Sequence, residues 1–169
     1  MLLEFTSMKE EEMHRMVREV YPEGCYENAK EKYPEAEDLT RGILEEEQYF
    51  VGFLKKFMSK DENRYYIWEE DGQWVSALRL TKLDGFYYME ALETAPERRK
   101  KGYAAELIRG VIELLGQRGK VEIRSNVNKE NTASLETHKA CGFVIAEENG
   151  VNYLTGESRE WLYGMRYQG

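Results

Sequence analysis

Four consecutive cations and a glycine, Arg98-Arg99-Lys100-Lys101-Gly102, sit where one hydrophobic pattern gives way to another. Before them, Phe86 to Leu92 is apolar and aromatic and predicts a strand. After them, Ala104, Leu107, Ile108, Val111 and Leu115 recur at helical spacing. The first turn of a helix carries backbone N–H groups without internal acceptors, and the helix dipole makes that end partly positive. Such an end binds phosphate. Gly102 lets the backbone approach an anion, and Ala104 keeps the next turn small. The expected ligand is a phosphate-bearing cofactor. The stretch lacks the Gly-Lys-Ser/Thr ending of a nucleoside triphosphate loop and the three glycines of a dinucleotide fold.

What remains is a shorter pattern, Arg/Gln-x-x-Gly-x-Gly/Ala, met by Arg99, Gly102 and Ala104. Leu92-Glu93-Thr94-Ala95-Pro96 precedes it, and a second block follows, Asn131-Thr-Ala-Ser134-Leu135-Glu-Thr-His138-Lys-Ala-Cys141-Gly142-Phe143. Together the blocks resemble the acetyl-CoA loop and the Asn-x-x-Ala/Ser…Tyr/His-x-x-x-Gly-Phe helix of the GNAT acyltransferase superfamily. The resemblance covers roughly residues 60 to 145 well. It implies acetyl-CoA as cosubstrate, held by Arg99, Lys100, Lys101, Gly102, Tyr103 and Ala104 through the pyrophosphate. It further implies that Leu92, Glu93 and Thr94 meet the pantetheine arm like an added strand, with Asn131 bonding the pantetheine and Ser134 on the same cofactor-lining helix face. A β-bulge near Leu92 is implied by the family and has no signal in this sequence.

Acetyl transfer to an amine requires removal of a proton, because an amine of pKa ~10.4 is mostly protonated at neutral pH. Relatives place such bases on the strand before the cofactor loop. Tyr88 and Glu90 occupy those positions, and Glu90 is the candidate base. The alternative is an exposed strand carboxylate. Glu93 is expected to face the other way. At the place of His138 many relatives have a tyrosine that protonates the departing thiolate; His138 instead resembles the branch of phosphinothricin-type acetyltransferases, which has histidine there. Helical spacing places Asn131, Ser134, Leu135 and His138 on one face. His138 then either donates a proton or only positions the cofactor; Tyr103 and Tyr88 are the other candidate donors.

The elements that must position these groups follow from turn signals and periodicity. A first strand opens the chain, with a Ser7/Glu10 capping box starting a helix that Pro22 and Gly24 end. Tyr21 to Asp38 reads as an irregular polar connection, and a helix follows from about Leu39 to Met58. Arg64–Glu70, Trp74–Leu83 and Phe86–Thr94 form a meander joined by Asp71-Gly72 and Asp84-Gly85 turns. Beyond the basic loop come a helix, a strand from Val121 to Val127, a helix from Asn131 to Cys141, and closing strands around an Asn149-Gly150 turn. Gly142 suits a left-handed cap. The expected fold is α+β: one GNAT-like domain over 1–169, with a mixed, mostly antiparallel sheet splayed at the cofactor site and about four flanking helices.

The bulk numbers exclude several alternatives. The net charge is −8, and residues 1–70 carry it all: 10 Lys/Arg against 18 Asp/Glu, whereas the remainder is balanced. That balance disfavours nucleic acid. It favours a cationic amine acceptor at the N-terminal part, if those acids are more than helix surface. Tyr21, Tyr26 and Tyr33 with Glu23 and Glu27 are candidates for an acceptor wall or for packing. Only Cys25 and Cys141 occur, so neither a disulfide framework nor metal-ligand spacing exists. No run is long enough to span a membrane, so a cytoplasmic home is the simplest expectation. A homodimer stays open. The competing function is an acyl-CoA sensor without turnover; transfer of a larger acyl group is a third.

Overall fold

The computed structural model describes all 169 residues. The elements run β1 (Leu2–Phe5), α1 (Glu10–Val20), α2 (Pro22–Lys32), α3 (Thr40–Met58), β2 (Asn63–Glu70), β3 (Gln73–Lys82), β4 (Tyr87–Thr94), a 3₁₀ turn (Pro96–Arg98) and α4 (Tyr103–Gly116). Then follow β5 (Glu122–Asn128), α5 (Thr132–Ala140), β6 (Val144–Glu147), β7 (Gly150–Val151), β8 (Ser158–Arg159) and β9 (Leu162–Gln168). The main sheet has the order β1-β2-β3-β4-β5-β9-β6, and β7 and β8 form a separate two-stranded ribbon. Only β4 and β5 pair in parallel; the rest is antiparallel. No helix is long and apolar enough to cross a membrane.

Strand alternation divides the core between the two faces of the sheet. Tyr65, Ile67, Trp74 and Ala77 point to one side and pack with Met16, Val17, Val51 and Leu54 of α1 and α3. Tyr66, Leu78, Leu80 and Met89 point to the other and pack with Leu107, Ile108 and Val111 of α4. Asp71 and Gly72 both have positive φ (51° and 75°), the geometry of a two-residue hairpin turn between β2 and β3. Gly142 has φ 89° after α5, as its position suggests.

Three local expectations change. Residues 22–32 are a helix, not an irregular connection: Pro22 starts α2 at its first turn instead of only ending α1. The weak apolar pattern of that segment hid it, since only Cys25 and Ala29 are buried. The start of α1 is secured by the Glu12 carboxylate accepting from the Lys9 N–H at 2.7 Å, not by a Ser7/Glu10 box. Asn149-Gly150 is no simple turn either; Gly150 begins β7, which pairs with β8 through Gly150↔Arg159 and Val151↔Ser158.

That ribbon is docked tightly on β5. The Asn126 side chain donates from Nδ2 to the Val151 carbonyl (2.7 Å) and accepts from the Val151 N–H (3.2 Å). A Cβ at Gly150 would lie 2.6 Å from Asn126 Oδ1 and 2.7 Å from Leu162 Cβ. Gly150→Ala is therefore expected to cost about 1–3 kcal/mol by overpacking, lowering Tm by roughly 2–10 °C. Gly52, inside α3 with open space around its Cβ position, is the control. Gly52→Ala is expected to stabilise by about 0.4–1 kcal/mol. Thermal melts of both variants check the pair.

Candidate functional site

The site is built on β4. Its parallel pairing with β5 covers only Tyr87↔Ile123, Tyr88↔Arg124 and Met89↔Ser125. Beyond Met89 the two strands part, and the second half of β4 has a free edge. At the same place the β3–β4 register slips: Arg79 faces Glu90 and Ala77 faces Glu93, so β4 holds one residue more than β3. This is a β-bulge, with Ala91 at φ 52°. Positive φ at a non-glycine residue is strained and persists only where surroundings enforce it. Here Tyr21 Oη, at the α1–α2 corner, donates to the Ala91 carbonyl at 2.7 Å.

The bulge separates two cavities. Leu92, Glu93 and Thr94 line a cleft of about 540 Å³, with Arg98 to Lys100 and Gly102 to Ala105 below and Asn131, Ser134 and Thr137 of α5 opposite. The backbone N–H groups from Lys100 through Ala105 find no acceptor in the protein. Lys100 and Gly102 are both left-handed (φ 61° and 85°), so the chain curls into α4 with successive amides unspent. Curled backbone at a helix start is an anion site. Arg99 is braced by Glu23 of α2 and by Glu93 at 3.1 Å. Glu93 also accepts from the Thr94 N–H at 3.1 Å, on the free edge of β4.

The other half of β4 lines the second cavity, of about 290 Å³. Tyr88, Met89, Glu90 and Ala91 form one wall; Arg79, Asn126, Asn152, Arg159 and Leu162 complete it. Glu90 accepts from Arg79 Nε at 3.4 Å. Arg79 in turn lies 4.7 Å from the Phe53 ring centroid. The Tyr88 hydroxyl accepts from Asn126 Nδ2 at 3.0 Å, which leaves its proton to donate. Burial, with the Glu90 charge adding to it, pushes the Tyr88 phenol up to about 12.

A carboxylate-bearing cavity and an amide-lined cleft thus meet at one bulged strand. The model of the Acetyltransferase (GNAT) family matches residues 11–143. The chain belongs to the GNAT acetyltransferase family. No curated protein sequence matches it. Among solved structures it is similar to PaiA N-acetyltransferase from Thermoplasma acidophilum in complex with coenzyme A (TM-score 0.66, 13% identity, covering 100% of this chain and 99% of that one). It is also similar to a spermidine N-acetyltransferase chimera from Vibrio cholerae and hSSAT (TM-score 0.65, 17% identity, 99% and 95% covered). A third is the ribosomal-protein-S18-alanine N-acetyltransferase from Escherichia coli (TM-score 0.61, 13% identity, 99% and 94% covered). At these identities the likeness shows the GNAT fold.

Within that fold the sequence-predicted residues divide. Leu92, Glu93, Thr94, Arg99, Lys100, Gly102, Tyr103, Ala104, Asn131 and Ser134 gather in the cleft, with Arg98 in addition. Lys101 does not line it and is exposed. Glu90 lies in the second cavity. His138 lies in neither. It is 1% exposed, and its ring sits edge-on to Phe143. Nδ1–H donates to the Ser134 carbonyl at 2.8 Å, and Nε2 faces Ser125 Oγ at 3.3 Å. The single face expected for α5 is thus two: Asn131 and Ser134 reach the cleft, while Leu135 and His138 are buried beneath it. Asn131 also caps α5, accepting from the Ser134 N–H at 3.0 Å.

The acids of residues 1–70 do not line the second cavity. Several pair elsewhere, as Glu10 with Lys55, Glu47 with His14 and Arg18, and Glu45 with Lys32 and Arg41. Tyr33 joins Glu45, and Tyr26 is exposed. Of the proposed aromatic wall, only Tyr21 reaches β4. Arg159 and Asn126 were missed because neither belongs to a motif; tertiary packing of a late ribbon brings them to the site.

Burial holds the His138 imidazole neutral, with its pKa below 6.5. The unfolded chain binds a proton near pH ~6.5 that the folded chain refuses, so this histidine lowers stability as pH falls below that value. Tm is expected to drop between pH 7 and pH 5, and His138→Gln is expected to flatten that drop. An unchanged slope in the variant would place the pH dependence elsewhere.

Proposed function

We propose that this acetyltransferase moves an acetyl group from acetyl-CoA to a primary amine by direct attack in a ternary complex. The observation that carries the reading is the division of β4 at Ala91. One half of the strand borders unspent amides suited to a pyrophosphate; the other borders a carboxylate suited to an amine. The pantetheine arm would lie along the free edge of Leu92–Thr94 as an added strand, displacing Glu93 from the Thr94 N–H. The thioester carbon then stands at the bulge, open to the second cavity.

The amine nitrogen attacks the thioester carbonyl, the C–N bond forms and the C–S bond breaks. The amine proton passes to Glu90, directly or through water. A backbone N–H at the bulge facing the developing oxyanion would contribute a few kcal/mol. The thiolate leaves with the bond electrons. A reference thiol pKa of ~8.5 makes it a fair leaving group without a dedicated acid. His138, buried and with Nδ1 spent on the Ser134 carbonyl, is assigned the role of setting α5 against β5, not that of proton donor. The acceptors named for the neighbours differ, spermidine in one and a ribosomal protein's alanine in another, so the fold alone names none.

The second reading, an acyl-CoA sensor, draws on the same burial of His138, since no side chain at that place reaches the cleft. Thiol release from acetyl-CoA across a panel of amines separates the two. Release is expected; coenzyme binding with no release for any amine would support the sensor. Glu90→Gln is expected to lower kcat/KM on the order of 10²-fold at pH 7 and much less at pH 9, where more amine is already neutral. A pH-independent loss would remove Glu90 from the base role. Gly102→Val forces a β-branched residue to φ 85° and is expected to weaken CoA binding at least ~10-fold by calorimetry. Unchanged affinity would move the pyrophosphate away from this loop.

A further inference from the structure

The second cavity is richer in donors than an amine alone requires. Its one carboxylate, Glu90, shares the lining with two guanidinium groups, Arg79 and Arg159. Arg79 is committed to Glu90 and to the Phe53 ring. Arg159 has one carboxylate partner, Glu157, and its guanidinium lies 5.9 Å from the Trp161 ring centroid. Its terminal Nη2 donates to Glu157 at 3.0 Å, and its Nε is buried without a hydrogen-bond partner. The Tyr88 hydroxyl beside it also keeps a proton to donate. A buried donor on a charged group is seldom left unpaired. Unpaired donors around a cavity wait for an anionic group, and a planar guanidinium suits a carboxylate.

We infer that the acceptor is a small amine that also bears a carboxylate, of the size and charge pattern of an α-amino acid, and that Arg159 determines this specificity. The inference rests on the acetyltransferase reading for the amine end. Glu90 takes the ammonium end beside the bulge. The Arg159 guanidinium, with the Tyr88 hydroxyl, takes the carboxylate, and Leu162 and Met89 supply apolar walls. The cavity of about 290 Å³ fits a ligand of this size. Two guanidinium groups against one carboxylate disfavour a polycation, and the acid excess of the N-terminal part does not reach this cavity. Arg159 is carried to the site by the β7–β8 ribbon, which Asn126 fastens to β5. Asn126 thereby holds both Tyr88 and the strand facing Arg159.

The test compares L-leucine with isoamylamine, and L-phenylalanine with phenethylamine, as acceptors. Thiol release from acetyl-CoA and calorimetric binding to the CoA-saturated protein are both measured. Each amino acid is expected to exceed its decarboxylated amine at least tenfold in kcat/KM, with the difference mainly in KM. Arg159→Met is expected to raise KM for the amino acids at least tenfold while leaving that for the amines within twofold; Arg159→Lys recovers part of the loss. Transfer to the amines equal to or better than to the amino acids would overturn the inference and leave the acetyltransferase reading standing. Amino acids that bind, through Arg159, without thiol release would support the inference and end the acetyltransferase reading. Amino acids that neither bind nor react would overturn the inference. If Arg159→Met fails to fold, the wild-type pairs decide alone.

Discussion

The divergence of β4 from β5 after Met89 is the constraint on which the rest depends. Parallel pairing holds the two strands together for a few residues and then stops. A paired edge would leave no room for a ligand between them. The bulge at Ala91 changes which groups the strand presents, so that residues before it serve one cavity and residues after it serve another. The Tyr21 hydroxyl on the Ala91 carbonyl ties this strained point to the helices on the far side of the sheet. Core packing on both faces, by α1 and α3 on one and α4 on the other, fixes β4 firmly enough to maintain the opening.

Electrostatics in this protein is arranged locally. The overall charge of −8 suggests an acidic surface that attracts cations. Several of those acids instead pair with nearby cations, as Glu45 does with Lys32 and Arg41, and exposed ion pairs of that kind contribute little to stability. The two ligand-sized spaces are donor-rich: one lined by unspent amides and the basic loop, the other by two arginines and a phenol. Arg99 is the exception that links regions, since it is held by Glu23 from α2 and Glu93 from β4. It sets the loop's position through side chains as well as through the backbone.

Much of this was legible in the sequence where local chemistry decides. The Asp71-Gly72 turn, the left-handed Gly142, the start of α4 after Gly102 and the meander from residue 63 to 94 each follow from residue type and period. The lining of the larger cleft was legible because its residues cluster in two short blocks. The bulge was not, because Ala91 carries no sign of positive φ; tertiary contacts impose it. Helix α2 was missed because it buries only two residues. The burial of His138 was not legible, because spacing of three and four residues defines a face wider than the cleft, and packing against Phe143 and Ser125 decides which part turns inward. Arg159 could not be found from spacing, since a separate ribbon delivers it from far along the chain.

Amide resonances recorded while coenzyme A is added examine the central claim most directly. The account predicts large, saturable shifts at the Lys100–Ala105 amides, together with Leu92–Thr94 on the free edge of β4, and small shifts along β1 and β2. Saturation with those two stretches unmoved, while amides elsewhere respond, would contradict it.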